Sequence, residues 1–153
     1  MFRDNGRFAC ALAALQRRDF SAAEAAFSAL IDASSTAPER AFLLNKRGVA
    51  RIGLERRDLA HADFAAALEA RPDYPPALTN VGNLLLEEGS VEEAIARYER
   101  AIERDPEYAV AHLNLSVAYK RAGRIADAVR ALRRSQRLEG ATGASFWRRA
   151  RRP

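Results

Sequence analysis

The sequence has few of the residues that form disulfide frameworks, metal sites and membrane spans. It contains one cysteine, Cys10, and two histidines in 153 residues, so no internal disulfide can form and no cysteine–histidine cluster suggests a structural metal. The stretch from Met1 to Arg7 carries charges where a signal peptide or a membrane span needs an unbroken apolar run. We therefore expect a cytoplasmic protein with no membrane span, no metal and no cofactor.

Glycine and proline are also scarce, at 8 and 6 residues, whereas 48% of the residues are hydrophobic and alanine is abundant. No disordered tract dominates the sequence. This composition is typical of one mostly helical domain with enough apolar surface to fold alone.

Residues that predict catalysis are missing too. His61 and His112 lie in different parts of the chain, without a cysteine or an acidic pair at ligand spacing, and the glycines do not form a phosphate-binding loop. Cys10 has no histidine within plausible range in sequence and is predicted to be a small core residue. We therefore do not expect an enzyme.

What the sequence does contain is one pattern that recurs at an interval of 34 residues. Ala94 lies 34 residues before Ala128, and the same offset aligns residues 76–82 with residues 110–116. A period near 34 with two apolar-periodic segments per copy predicts pairs of antiparallel helices. The pattern extends backwards, because six positions lie 34 residues before similar ones: Leu44, Gly48, Ala60, Phe64, Ala67 and Pro72 precede Leu78, Gly82, Ala94, Tyr98, Ala101 and Pro106.

The helix ends and the helix contacts are predicted from small and polar residues. Gly89 and Gly123 should end helices, and three pairs have capping-box spacing: Ser21 with Glu24, Thr36 with Glu39, and Ser90 with Glu93. Helices approach closely where side chains are small, so three residues of first helices should face alanines of second helices: Gly48, Gly82 and Ser116 opposite Ala60, Ala94 and Ala128. Large side chains should fill the space between pairs: Phe27, Phe64, Tyr98 and Leu132.

With these positions the chain resembles the tetratricopeptide repeat proteins over about residues 4–140. The match is closest between Leu78 and Pro106, while Arg51 departs from it by standing where Leu85 and Tyr119 stand. The resemblance implies an all-α fold, a right-handed α-α superhelix or solenoid of four helix pairs. The repeats are expected at about residues 4–40, 41–74, 75–108 and 109–140.

Residues 141–153 continue the same phase as a basic segment. The 34-residue offset puts Phe146 and Ala150 at the large and small positions of a ninth helix, with Ser145 as its cap. Arrays of this kind need a terminal helix with a polar outer face. We therefore expect a short capping helix over the last pair.

Charge is distributed unevenly although the formal net charge is only +5. Residues 87–107 are mainly acidic, whereas residues 120–152 are strongly basic. A basic end favours an acidic partner surface. Specific nucleic-acid binding is not expected, because no recognised motif is present and aromatic residues do not interleave with the arginines apart from Phe146 and Trp147.

The resemblance also implies a function, since in this family the first helices line a concave groove that holds a peptide. We therefore expect a non-enzymatic adaptor that binds a peptide or protein segment. The alternative is a structural or self-associating subunit of a larger assembly, with electrostatic nucleic-acid binding less favoured than either. Asn83 and similar amides would bond the peptide backbone. The groove residues implied are Asn45, Val49, Ile52, Thr79, Asn80, Asn83, Leu86, Leu113, Asn114, Val117, Lys120 and Arg121.

Overall fold

The computed structural model describes the backbone of residues 5–150 and the side chains of residues 6–140. Every regular element within these residues is an α-helix, so the predicted all-α fold is confirmed. In this described part of the chain, no helix combines the length and the hydrophobicity that crossing a bilayer requires. The helices are α1 (Asn5–Gln16), α2 (Phe20–Ala33), α3 (Ala37–Gly53), α4 (Arg57–Ala70), α5 (Pro75–Glu87), α6 (Val91–Arg104), α7 (Ala109–Arg121) and α8 (Ile125–Ala150).

Backbone contacts divide the chain into two compact units between Ala77 and Leu78. In the first unit α1 packs on α2, α2 on α3 and α3 on α4. In the second unit α6 packs on α7 and α7 on α8. Within each unit a helix thus packs on the next one along the chain, which is the order expected of a helix-pair repeat.

Alanines and a few large side chains form the core of the first unit. Ala11 and Ala23 are fully buried with Phe27, so the prediction of a buried aromatic at residue 27 is confirmed. Cys10, in contrast, is exposed, and its prediction as a core residue is wrong. The buried face of α1 is formed instead by Ala11 and Ala14, one helical turn apart.

Two glycines of first helices lie directly against aromatic rings. A Cβ atom built on Gly48 would lie 2.5 Å from Cε1 of Phe64, and one built on Gly82 would lie 2.6 Å from Cε1 of Tyr98. The sequence predicted that the alanines four residues earlier would face these glycines and that the rings would fill the space between pairs. The rings contact the glycines of their own pair instead, because only a residue without a side chain leaves room for them.

Each turn within a helix pair contains one residue in the left-handed backbone region. Gly89 has a φ of 87° and Gly123 a φ of 75°, as expected of residues that end helices. The two earlier turns use Arg18, with a φ of 61°, and Glu55, with a φ of 60°. Because a side chain in this region costs about 1–2 kcal/mol, helix packing must hold the two earlier turns in this geometry.

The helix caps agree only in part with the sequence prediction. Thr36 caps α3, because its hydroxyl accepts a hydrogen bond from the amide of Glu39 at 3.4 Å. Ser90 is the N-cap residue of α6, but its side chain makes no capping hydrogen bond. The cap predicted at Ser21 is wrong, since α2 begins earlier and Asp19 accepts from the amide three residues later. A carboxylate at this position also interacts favourably with the helix dipole.

The last helix is longer than predicted, because α8 runs through Gly140 to Ala150. Residues 141–150 therefore continue α8, and the separate capping helix predicted there is wrong. Gly140 lacks the positive φ of the turn glycines, and one glycine inside a helix costs only about 1 kcal/mol. The roles predicted for the side chains of Ser145, Phe146 and Ala150 lie outside the described residues.

Buried ion pairs explain the unusual Arg51. Its Nε lies 2.8 Å from Oε1 of Glu24 and its Nη1 lies 2.9 Å from Oδ2 of Asp63. Arg47 binds the same Asp63 through two hydrogen bonds, of 3.0 Å and 2.6 Å. The hydrogen bond from Arg51 holds the pKa of the Glu24 carboxyl below its usual value. Arg51 thus links α2, α3 and α4, where later repeats have an apolar or aromatic residue.

Candidate functional site

Three polar side chains from α5, α6 and α7 form a hydrogen-bonded cluster in the second unit. The oxygen Oδ1 of Asn83 accepts hydrogen bonds from the hydroxyl of Tyr98 and from Nδ2 of Asn114, each at 2.8 Å. Asn83 and Asn114 were both predicted as groove residues from the resemblance. We refer to Asn83, Tyr98 and Asn114 as the amide cluster.

The amide cluster leaves Asn83 with one kind of hydrogen bond to offer. Its oxygen already has two donors, which use both lone pairs of an amide oxygen. Its Nδ2 group is bound to none of the described residues, and the side chain is half-buried. The expectation that Asn83 both donates to and accepts from a peptide is therefore corrected: it is able to donate only.

Tyr98 holds the amide cluster in place. Its ring is fully buried against Gly82, so the ring cannot rotate away from α5. Burial of the phenol raises the pKa of Tyr98 to about 12. The hydroxyl therefore stays protonated at neutral pH and remains a donor to Asn83. The sequence had placed Tyr98 in the core, and its hydroxyl gave no sign of this second role.

Arg121 is attached to the same surface through the backbone of α5. Its Nη1 donates to the carbonyl oxygen of Leu86 at 2.8 Å. The side chain of Leu86 is buried among Ala94, Tyr119 and their neighbours rather than available to a partner. Lys120, beside Arg121, is exposed. These two cations give the α7 side of the surface a positive charge.

The other predicted groove residues are distributed over buried and exposed positions. Asn45 and Thr79 are only 3% and 1% exposed, so neither reaches a partner without a change in packing. Asn80 is half-buried and already interacts within the protein. Val49 is half-buried and Ile52 is exposed, both on α3 in the first unit. The repeat position of a residue therefore did not determine its exposure, which depends on the size of its neighbours.

Three more predicted residues belong to an apolar groove on α7 and α8. Leu113, Val117 and Lys120 line it from α7, over the buried Ser116 and Ala128. From α8 it is lined by three exposed side chains that the sequence analysis did not assign to a binding surface: Ile125, Val129 and Leu132. Leu132 is thus exposed instead of filling space between pairs as predicted. The groove has a volume of about 400 Å³, and we call it the end groove.

A second concave surface, of about 550 Å³, is lined by α6, α7 and α8 and carries both charge signs. In it the hydroxyl of Tyr119 donates to Oε1 of Glu99 at 2.6 Å, and burial together with this bond raises the pKa of Tyr119 to about 12. His112, half-buried as predicted, contacts the carbonyl oxygen of Pro106 through Nε2. The side chains described here contain no group of three or more His, Cys, Asp or Glu residues that could hold a metal ion.

Comparison with known proteins agrees with this geometry. Residues 82–123, which contain the amide cluster, match a family model described as TPR repeat. The fold is similar to the crystal structure of MamA, with a TM-score of 0.71 at 17% identity, over 94% of this chain and 82% of MamA. A MamA RS-1 ArsTM double mutant gives 0.67 at 21% identity, over 88% and 74% of the two chains.

YrrB, described as a TPR protein with an unusual peptide-binding site, is similar as well. The TM-score is 0.65 at 21% identity, over 88% of this chain and 68% of YrrB. At these identities the structural matches establish the fold, and the family model establishes a repeat within it. The chain is therefore a tetratricopeptide repeat protein, by its fold and by the repeat at residues 82–123.

Proposed function

We propose that the chain is a protein-interaction adaptor that binds a peptide segment over α5 and α7, at the amide cluster. The tetratricopeptide fold supports an adaptor role in general, and the peptide-binding site described for YrrB supports a peptide as the partner. In this proposal the Nδ2 group of Asn83 donates a hydrogen bond to a backbone carbonyl of the peptide. The exposed Lys120 adds a favourable charge for an acidic segment.

The observation that carries this proposal is the fixed orientation of Asn83. A free amide side chain must lose rotational freedom when it binds a ligand, and this loss weakens binding. The two hydrogen bonds to Oδ1 hold the amide of Asn83 before any partner arrives. Asn83 is thus already oriented as a donor, as a residue that recognises a peptide backbone needs to be.

The proposal is tested by Asn83→Asp. Aspartate has the shape of asparagine and keeps an oxygen to accept from Tyr98 and Asn114, but it lacks the donor. Affinity capture from the source cells, followed by mass spectrometry, should recover peptide-containing partners with the wild-type protein. The same partners should fall to background with Asn83→Asp, because a carboxylate repels a peptide carbonyl.

A matched control is Gln16→Glu, the same amide-to-acid change at an exposed residue of α1 in the first unit. This control should capture the wild-type set of partners. Thermal unfolding of both variants should show that Asn83→Asp remains folded. Equal recovery of the same partners by wild type and by folded Asn83→Asp would contradict the proposal.

A further inference from the structure

The end groove is unusual within its own unit, because the equivalent surface of the preceding pair is buried. Val129 and Leu132 are 41% and 38% exposed, whereas Ile95 and Tyr98, the residues 34 positions earlier, are 3% and 0% exposed. Ile95 and Tyr98 belong to a core that includes Leu115 of the following helix, α7. The repeat therefore forms an apolar stripe that a further helix covers in one pair and leaves uncovered in the last.

The end of α8 does not cover the end groove. Residues 141–150 continue the same helix that supplies Ile125 and Val129 to the groove. A continuous helix cannot fold back over its own first turns, and its later residues lie farther along its axis. The shape of the uncovered surface, two packed helices with an apolar depression between them, fits another helix.

Charge indicates what kind of helix fits. Lys120 lines the end groove, and none of the residues that line it is acidic. Arg133 follows Val129 by one helical turn and is exposed, and no partner is found for its guanidinium among the described side chains. Asp127 is bound by its own neighbours on α8, and Glu139 lies about two turns beyond Leu132.

We propose that the end groove binds an amphipathic helix of an acidic partner protein. The apolar side of that helix packs on Val117, Val129 and Leu132, and its carboxylates lie near Lys120 and Arg133. This surface is separate from the amide cluster, so the chain has two docking surfaces in the same unit. The second surface selects a partner by helical amphipathicity and negative charge, whereas the first donates to an extended backbone.

The test uses labelled synthetic helices of about 20 residues, long enough to be partly helical in water. One has leucines at helical spacing flanked by glutamates, the second has lysines in place of the glutamates, and the third is a scrambled glutamate peptide. Fluorescence anisotropy with the full chain should show that the glutamate helix binds at least about tenfold more tightly than the lysine helix, because opposite charges attract and like charges repel. The scrambled peptide should bind weakly, since it presents no continuous apolar face.

Two variants place the binding at the end groove. Val129→Asp puts a carboxylate into the apolar contact and should weaken the glutamate helix by more than about tenfold. Lys120→Glu combined with Arg133→Glu should weaken it by about threefold to tenfold and should reduce the salt dependence. All three residues are exposed, so these variants are expected to fold.

Matched controls are Leu59→Asp, at an exposed apolar residue of α4, and Arg97→Glu, at an exposed arginine of α6. Both should bind the glutamate helix like wild type, and so should Asn83→Asp, which separates this proposal from the proposed function. Equal binding of the glutamate and lysine helices, or no effect of Val129→Asp, would overturn the inference.

Two other occupants give different results. If the glutamate helix does not bind but phosphatidylserine vesicles do, and Val129→Asp abolishes vesicle binding, the surface contacts membranes and the inference is wrong. If the helix does not bind and sedimentation shows a dimer that Val129→Asp dissociates, the occupant is a second copy of the chain and the inference is again wrong.

Discussion

Gly82→Ala tests how the second unit is packed, because it adds one methyl group at the tightest point between α5 and Tyr98. The new Cβ would lie 2.6 Å from Cε1 of the Tyr98 ring and 3.0 Å from Cδ1 and Cζ. Carbon atoms in ordinary contact are about 3.5–4.0 Å apart, so the ring or the helix must move by about 1 Å. The ring has little freedom to move, since Tyr98 is fully buried and its hydroxyl is bound to Asn83.

The magnitude follows from two opposing terms. Overpacking of a closely packed core costs about 1–3 kcal/mol. Replacing glycine by alanine inside a helix recovers about 1 kcal/mol from backbone entropy. Gly140→Ala, in the helical part of the same unit, isolates the second term, because nothing lies within 4 Å of a Cβ at Gly140. We therefore expect Gly140→Ala to stabilise the protein and Gly82→Ala to be about 1–3 kcal/mol less stable than Gly140→Ala.

The assay is urea unfolding followed by circular dichroism, with the wild type and both variants measured together. Tyr98→Leu provides a second check, because a smaller side chain should reduce the additional cost of Gly82→Ala in a double-mutant cycle. If Gly82→Ala and Gly140→Ala are equally stable, the ring yields freely. The rigid packing that we use to explain the orientation of Asn83 would then be refuted.

Two further predictions concern charge. Asp63→Ala should destabilise the first unit by about 3–5 kcal/mol, because it leaves the guanidinium groups of Arg47 and Arg51 without their shared carboxylate in a buried site, whereas Asp127→Ala, at an exposed pair, should cost at most about 1 kcal/mol; equal losses in chemical denaturation would contradict this. Tyr98 and Tyr119 have pKa values raised from 10.0 to about 12. Their stabilising contribution should be complete below pH 10 and lost as the pH rises towards 12, which absorbance titration and alkaline unfolding measure together, and ionisation of both tyrosines at pH 10 would refute the burial argument.

Much of the fold could be predicted from the sequence because the repeat imposes it several times. The left-handed residues at the turns recur at the repeat interval, and Gly89 and Gly123 were recognised as helix ends from their type alone. Arg18 and Glu55 occupy the same backbone geometry without the residue type that signals it. A local sequence signal therefore locates a turn only where the turn itself prefers that residue.

The end of the fold could not be predicted in the same way. The 34-residue offset assigned Phe146 and Ala150 to a new helix, but a new helix needs a break before it. Gly140 supplies no break, since glycine in a helix is tolerated when no proline or turn follows. The offset carries information about side-chain position along a helix, and it carries none about where the helix stops.

The candidate site was predicted only in its outline. Asn83 and Asn114 were identified as groove residues, but their bond to each other depends on contact between two helices 31 residues apart in sequence. Thr79 and Leu86 lie on the same helix as Asn83 and are buried. The helical period gives the direction of a side chain approximately, whereas its exposure depends on which neighbouring helix covers it.

The saturated oxygen of Asn83 has a consequence for the kind of sequence that this adaptor can accept. A site that only donates requires an oxygen from its ligand and makes no use of a ligand N–H group. Proline has a carbonyl oxygen but no N–H, so it meets this requirement as well as any other residue. A proline-containing segment, whose backbone is already restricted in solution, would keep this bond in full while losing less entropy on binding.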